Sequence, residues 1–198
     1  MSLEAQQHGL SISIDAPGHY SVSAPGAGAP VLVSEVAAKI AGQWVRSDDY
    51  PYHAIDKTTV GGYLGTAEQW RVVFSGLAGK PDLVYKLCAY QSQPFADLQL
   101  TVKNSTSGSV DVQSIRVVEA SGEGIAALGG PAAANRVLSD SFSEDRPVTQ
   151  IHDLVDAKDQ MHRAVGSQLI YNRDSHRSLF LGNANQYYIF RQMRDVLQ

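Results

Sequence analysis

The stretch that decides the fold is FADLQLTVK, residues 95–103. Polar residues at odd positions from Asp97 alternate with apolar residues at even positions from Leu98, and this period of two predicts a β-strand with one face toward a core. Asn104–Ser109 is rich in turn-forming residues, and Val110–Ala120 returns as a second β-rich run. The region therefore predicts two antiparallel strands joined by a turn.

The same signals recur along most of the chain, as short apolar or alternating runs bounded by Gly, Pro, Asn or Asp. They predict further strands at residues 9–15, 19–23, 30–40, 42–46, 70–74, 83–90, 136–138, 165–171 and 178–181. Residues 34–40 also fit a short helix, but the strand is favoured, and 47–53 is interpreted as an aromatic loop. About ten short strands without helix–strand alternation favour a sandwich or barrel over a parallel sheet. We therefore predict an all-β fold, an antiparallel β-sandwich of the supersandwich kind.

The two ends of the chain lack this pattern. Residues 1–8 are predicted to be a leader or a disordered N-terminus, and 9–182 one β-sandwich domain in which 122–134 is a long loop. Residues 183–198 carry apolar side chains at spacings of three and four, which predicts a short C-terminal amphipathic helix.

Composition excludes some classes of partner. The chain has 198 residues, a formal charge of −4 and 16 Lys and Arg that are scattered rather than clustered. This pattern argues against binding to nucleic acid or to an anionic membrane, and no apolar run approaches the roughly 20 residues of a membrane span. Ala5–Gln7 is typical of a mature N-terminus after signal cleavage, so a secreted or periplasmic location is expected, with a cytoplasmic one as the alternative. A single cysteine, Cys88, excludes an internal disulfide.

Two sets of residues suit carbohydrate recognition, which needs flat aromatic faces beside polar groups that bond hydroxyls. The candidates are Trp44, Tyr50, Tyr52 and His53 in one set, and Asp145, Arg146, His162, Arg163 and Tyr171 in the other. The alternative is structural: the tryptophans Trp44 and Trp70 belong to the core, and the tyrosines cover its edge.

Catalytic and metal-binding patterns are weak. Carboxylate pairs such as Asp140 with Asp145 are indistinguishable from a solvated loop, although a glycosidase needs such a pair. His152, His162 and His176 lack the HxH or HExxH spacing of a metal site. The sequence thus predicts no catalytic residue, no metal and no cofactor.

Three phrases in the C-terminal third carry a family resemblance: LSDSFSEDRP at 138–147, GSQLIYNR at 166–173 and SLFLG at 178–182. They resemble the N-terminal β-sandwich domain of bacterial α-galactosidase-like (melibiase-type) glycoside hydrolases. In that family the sandwich precedes a (β/α)8 barrel whose aspartates do the chemistry, so the resemblance implies no catalytic residue in this chain.

The resemblance implies a non-catalytic accessory domain, which serves carbohydrate contact, domain packing or oligomerisation. The expected partners are a galactoside or oligosaccharide, a (β/α)8 catalytic domain if the native chain continues, and a second copy in a homodimer. A hypothesis from another class is a free-standing protein-interaction or adhesion sandwich that does not bind sugar.

Overall fold

The chain folds as two compact units of β-sheet. The computed structural model describes residues 3–7, 10–23, 29–62, 64–120, 127–140, 149–153, 164 and 166–182. Residues 1–125 make up the N-terminal unit and residues 126–198 the C-terminal unit. All strand pairs are antiparallel, and the described residues include no helix of seven residues or more, so the predicted all-β, sandwich-like fold is confirmed.

The N-terminal unit contains two sheets. The strands of the first sheet are β1 (Leu3–Gln7), β2 (Leu10–Ile14), β3 (Tyr20–Ser23), β4 (Leu32–Ile40), β5 (Gln43–Arg46) and β10 (Val112–Glu119). They pair in the order β1-β2-β3-β4-β10, and β5 also pairs with β4. The second sheet is a meander of β6 (Tyr52–Gly62), β7 (Gly65–Ser75), β8 (Asp82–Tyr90) and β9 (Ala96–Lys103).

The strand β4 organises the first sheet because it pairs along most of its length. It pairs with β3 through Leu32–Ser34 and with β5 through Ala37–Ile40. Ala41 and Gly42 join β4 to β5 and both have positive φ, which is the geometry of a tight hairpin turn that follows the strand twist. The strand interpretation of residues 30–40 is thereby confirmed.

Aromatic side chains join the two sheets of the N-terminal unit. Tyr85 of β8 lies edge-on to Tyr20 of β3, with ring centroids 6.1 Å apart, and its hydroxyl donates to the Gly18 carbonyl at 2.9 Å. Phe74 and Trp70 of β7 are fully buried. The inward residues of both sheets thus form one apolar core, as alternation along the strands predicts.

The described residues of the C-terminal unit form a four-stranded sheet. Its strands are β11 (Asn135–Asp140), β12 (Thr149–Asp153), β13 (Ser167–Asn172) and β14 (Ser178–Gly182), in the order β12-β11-β13-β14. The predicted hairpin over 165–181 is confirmed as β13 and β14. Asn172 is fully buried at the end of β13 and donates to the Pro131 carbonyl at 2.9 Å and to Asn135 Oδ1 at 2.7 Å.

Three segments differ from the sequence prediction. Leu3–Gln7, expected to be leader or disorder, pairs with β2, since a backbone ladder needs no apolar pattern. The aromatic loop ends early: Ser47–Asp49 is a 3-10 turn and β6 already starts at Tyr52. Most residues of β6 are exposed, so its sequence lacks the alternation of polar and apolar residues that predicts a strand. The strand β12 was not predicted either.

Two predictions about domains stay predictions. The helix predicted for 183–198 lies outside the described residues, and the division near residue 125 does not decide whether 9–182 acts as one domain. The described part of the chain holds no apolar helix of membrane-spanning length.

Candidate functional site

The predicted sugar-contacting residue Trp44 has a neighbour on its ring. The guanidinium carbon of Arg116, a residue only 4% exposed, lies 3.7 Å from the Trp44 ring centroid. The same guanidinium donates two hydrogen bonds to the Glu119 carboxylate, at 2.7 and 2.9 Å. This ring face is therefore covered by Arg116 in a cation–π stack and is not a platform for a pyranose.

Tyr50 and His53 pack around Phe74. Tyr50 is 2% exposed and its hydroxyl donates to the Pro81 carbonyl, so the prediction that it contacts sugar is corrected: it is a core residue. His53 is exposed and lies edge-on to Phe74, with centroids 5.4 Å apart. Tyr52 is 67% exposed but precedes His53 on one strand, so their side chains point to opposite faces.

The second predicted set is mostly outside the described residues, which include neither Asp145, Arg146, His162 nor Arg163. Tyr171 is described, on β13 of the C-terminal unit, and its hydroxyl lies 2.7 Å from His176 Nδ1. Among the described candidates, the structure brings together only Tyr50 and His53, which both contact the buried ring of Phe74.

A cluster of ionisable side chains, which sequence reasoning missed, lies in the N-terminal unit. We call it the His19 cluster, and its members are Asp15, His19, Glu35 and Asp48. His19 Nδ1 is 3.0 Å from Asp15 Oδ2, and His19 Nε2 is 2.6 Å from Asp48 Oδ1. One ligand atom each from His19, Glu35 and Asp48 lies within 4.8 Å of the others. An imidazole is thus held between carboxylates at both nitrogens.

Strand register explains how the cluster forms. Glu35 lies on β4 between the part that pairs with β3 and the part that pairs with β5. His19 directly precedes Tyr20, which pairs with Ser34, so the β3 ladder points His19 at Glu35. Asp48 lies two residues beyond Arg46, the end of the β5 ladder, and reaches the same place. No local motif links the three positions, so only an assigned register could have revealed them.

The cluster shifts the protonation of two of its members. Burial acts to lower the pKa of His19, but hydrogen bonds to Asp15 and Asp48, and their charges, outweigh it and raise the pKa above 6.5. Burial and the nearby Asp48 charge raise the pKa of Glu35 above 4.5, against a hydrogen bond from the Ser47 hydroxyl. The group is thus rich in carboxylate oxygens that attract a cation.

A second candidate surface is an apolar row on the sheet of the C-terminal unit. Ile151 pairs with Leu138, Leu138 with Leu169, and Leu169 with Phe180, so the four side chains cross all four strands on one face. Ile151 is 60% and Phe180 64% exposed. We call these four residues the apolar row. Each end of the apolar row is a large apolar side chain that is mostly exposed.

The opposite face of the same sheet is packed. Val137 pairs with Ile170, and the two are 1% and 5% exposed. The sheet therefore has one buried apolar face and one face that carries the apolar row. Such two-sided apolar character differs from the polar outer face that is usual for a half-buried antiparallel sheet.

Comparison with family models, curated proteins and solved structures gave no match for this chain.

Proposed function

We propose that the chain is a non-catalytic accessory β-sandwich module that packs against a partner domain through the apolar row. The resemblance to α-galactosidase-like glycoside hydrolases suggests that this partner is a (β/α)8 catalytic domain. The single observation that supports docking is the pair of exposed side chains, Ile151 and Phe180, at the two ends of a row that crosses the sheet.

The dimensions of the row suit a protein partner. Four strands at a spacing of about 4.8 Å span about 14 Å, the width of one helix or one strand pair. Covering the exposed parts of Ile151 and Phe180 would contribute about 2 to 4 kcal/mol at ordinary transfer energies. That amount is a useful anchor for an interface and is too small to hold one without surrounding contacts.

Carbohydrate contact is supported less well than domain packing. The Trp44 ring has Arg116 stacked on it, and Tyr50 is buried, so two of the four aromatic candidates in the N-terminal unit are engaged in the fold. Tyr52 is 67% exposed but has no second aromatic candidate on its own side of β6.

The first step of the test is to read the native gene. A (β/α)8 barrel in the same reading frame or in the adjoining gene is expected, and its absence would contradict the proposed partner. The purified barrel is then titrated with the 198-residue chain by calorimetry. The double variant Ile151→Thr, Phe180→Thr should bind at least about tenfold more weakly, since each lost anchor is worth about 1 kcal/mol or more.

The matched control is the double variant Val33→Thr, Val112→Thr. These two valines are 41% and 43% exposed and lie on strands of the N-terminal unit, so the control places threonine at two exposed apolar strand positions outside the apolar row. Equal weakening by both double variants would refute a role for the apolar row. Hydrolysis of an α-galactoside by the 198-residue chain alone would refute the non-catalytic assignment.

A further inference from the structure

The orientation of His19 in the His19 cluster is fixed from one side. Asp15 Oδ1 accepts the backbone N–H groups of Gly18 and His19, at 2.9 and 2.8 Å, and its other oxygen lies 3.0 Å from His19 Nδ1. Because the Asp15 carboxylate holds Nδ1, Nε2 is the ring nitrogen that would bind an ion, which would replace the hydrogen bond that Nε2 now makes with Asp48. This is the arrangement in which metal-binding histidines are found.

The Nε2 nitrogen faces carboxylate oxygens from two other segments. Asp48 Oδ1 lies 2.6 Å from Nε2, and a Glu35 oxygen lies within the same 4.8 Å group. In a tetrahedral zinc site with bonds of about 2.1 Å, ligand atoms are about 3.4 Å apart. The Asp48 oxygen would move away by about 0.8 Å and the Glu35 oxygen inward by at most about 1.4 Å to reach that spacing. Asp48 is half exposed, so its side chain has room to move.

The charge around the cluster favours a cation. Three carboxylates, from Asp15, Glu35 and Asp48, surround one imidazole. The guanidinium of Arg46 is 3.8 Å from Glu35, but it also forms a closer ion pair, at 3.2 Å, with Glu119. A divalent ion would neutralise the two carboxylates that face Nε2.

The ligand set discriminates between cations. One imidazole nitrogen with two carboxylate oxygens suits zinc and its first-row neighbours, whereas calcium takes six to eight oxygen ligands and magnesium keeps most of its water. Three protein ligands also leave a position for water, as is usual when zinc is bound by mixed nitrogen and oxygen donors.

We propose that His19 Nε2, Glu35 and Asp48 bind one divalent transition-metal ion of the zinc class, with Asp15 as the positioning residue that orients the imidazole. The ion would tie together the β2–β3 turn, the middle of β4 and the 3-10 turn after β5. This inference does not depend on the proposed docking function, because the apolar row belongs to the other unit.

The test is a calorimetric titration of the full 198-residue chain, without an affinity tag, with zinc chloride. The expected result is one saturable site per chain that is lost or weakened at least about tenfold in His19→Gln and in Glu35→Gln, since each removes one of three ligands. The Asp15→Asn variant should keep the stoichiometry and weaken binding by about ten- to a hundredfold, which is the usual effect of removing an orienting carboxylate.

The matched control is His53→Gln, which removes an exposed histidine of the same unit and should leave the site intact. Cobalt(II) provides a second readout, because the wild-type chain should show the intense visible bands of a four-coordinate ion and the Glu35→Gln chain should not. Far-UV circular dichroism checks that each variant is folded. If His19→Gln does not fold, the zinc affinity of the near-isosteric Glu35→Gln variant tests the site.

Two results would overturn the assignment. One is the absence of saturable zinc binding by the wild-type chain. The other is binding of equal strength in the wild type and in Glu35→Gln, which would place the ion on other side chains.

Discussion

Replacing Gly18 by alanine tests how closely the two sheets of the N-terminal unit approach each other. Gly18 has φ +91° in the turn between β2 and β3, and a Cβ atom there would lie 2.8 Å from Phe74 Cε1 and 3.1 Å from Val72 Cγ1. Gly42 provides a matched position, because its φ is +84° and a Cβ atom would meet nothing within 4 Å. The two glycines share the backbone requirement and differ in the packing requirement.

The expected free energies follow from that difference. Placing alanine in the left-handed region costs about 1 to 2 kcal/mol, and this applies to both positions. Gly18→Ala adds an overpacking cost of about 1 to 3 kcal/mol, because Phe74 is fully buried and its ring is flanked by Tyr50 and Tyr85. We therefore expect a loss of about 2 to 5 kcal/mol for Gly18→Ala and about 1 to 2 kcal/mol for Gly42→Ala.

Urea unfolding followed by tryptophan fluorescence measures these losses. The two tryptophans, Trp44 and Trp70, both lie in the N-terminal unit, so the signal reports on the unit that carries both mutations. Unchanged m-values would show that stability, rather than the extent of unfolding, has changed. Losses equal to within about 0.5 kcal/mol would refute the argument, since they would mean that no ring lies against Gly18.

Three further predictions concern buried polar groups. Arg116→Met should destabilise the chain by about 2 to 3 kcal/mol, because the mostly buried Glu119 carboxylate would keep only its ion pair with Arg46. A double-mutant cycle with Glu119→Gln should give a coupling energy above about 1 kcal/mol. Additive effects of the two mutations would show that Arg116 and Glu119 do not stabilise each other. Burial raises the pKa of Tyr20 and of Tyr85 above 10, so these tyrosines ionise at lower pH in the unfolded chain than in the folded one. Their contribution to the free energy of unfolding is therefore complete below pH 10 and falls above it by up to about 1.4 kcal/mol per pH unit for each tyrosine. Urea unfolding at pH 8 to 11 measures this loss. Titration of all tyrosines near pH 10 in the native state, followed at 295 nm, would disprove this. Asn172→Ala should destabilise the chain by about 2 to 3 kcal/mol, since it leaves the turn N–H groups of Asp174 and Ser175 without their acceptor. The melting temperature followed by circular dichroism should fall accordingly. An unchanged melting temperature would show that the turn does not need these hydrogen bonds.

The all-β fold was predictable because most strands bury one face. The run from Ala96 to Lys103 has exposed residues at 99, 101 and 103 and a buried Leu100, as its alternation indicates. The strand β4 was also identified correctly in spite of helix-compatible residues. In both cases the period of the apolar residues follows directly from the core they face.

Strands without a buried face could not be found in this way. Residues 52–62 form the eleven-residue strand β6 at the edge of its sheet, and nearly every residue in it is exposed. An edge strand forms by backbone pairing with its one neighbour, which is β7 for β6. The position of β6 therefore depends on its register with β7 and cannot be recognised from the composition of β6.

Strand register also explains why the sequence suggested sugar-binding residues that lie in the fold and did not suggest the His19 cluster. Trp44 and Tyr50 were selected by residue type and proximity in sequence, but the environment of an aromatic ring depends on which chain segment lies over it. For Trp44 that segment contains Arg116, which is 72 positions away. His19, Glu35 and Asp48 are separated in sequence and come together because the ladders of β3 and β5 on β4 both run toward Glu35. In a sheet protein, side chains from different strands become neighbours through register, so a search for sites gains more from two correctly assigned hairpins than from any count of suitable residues.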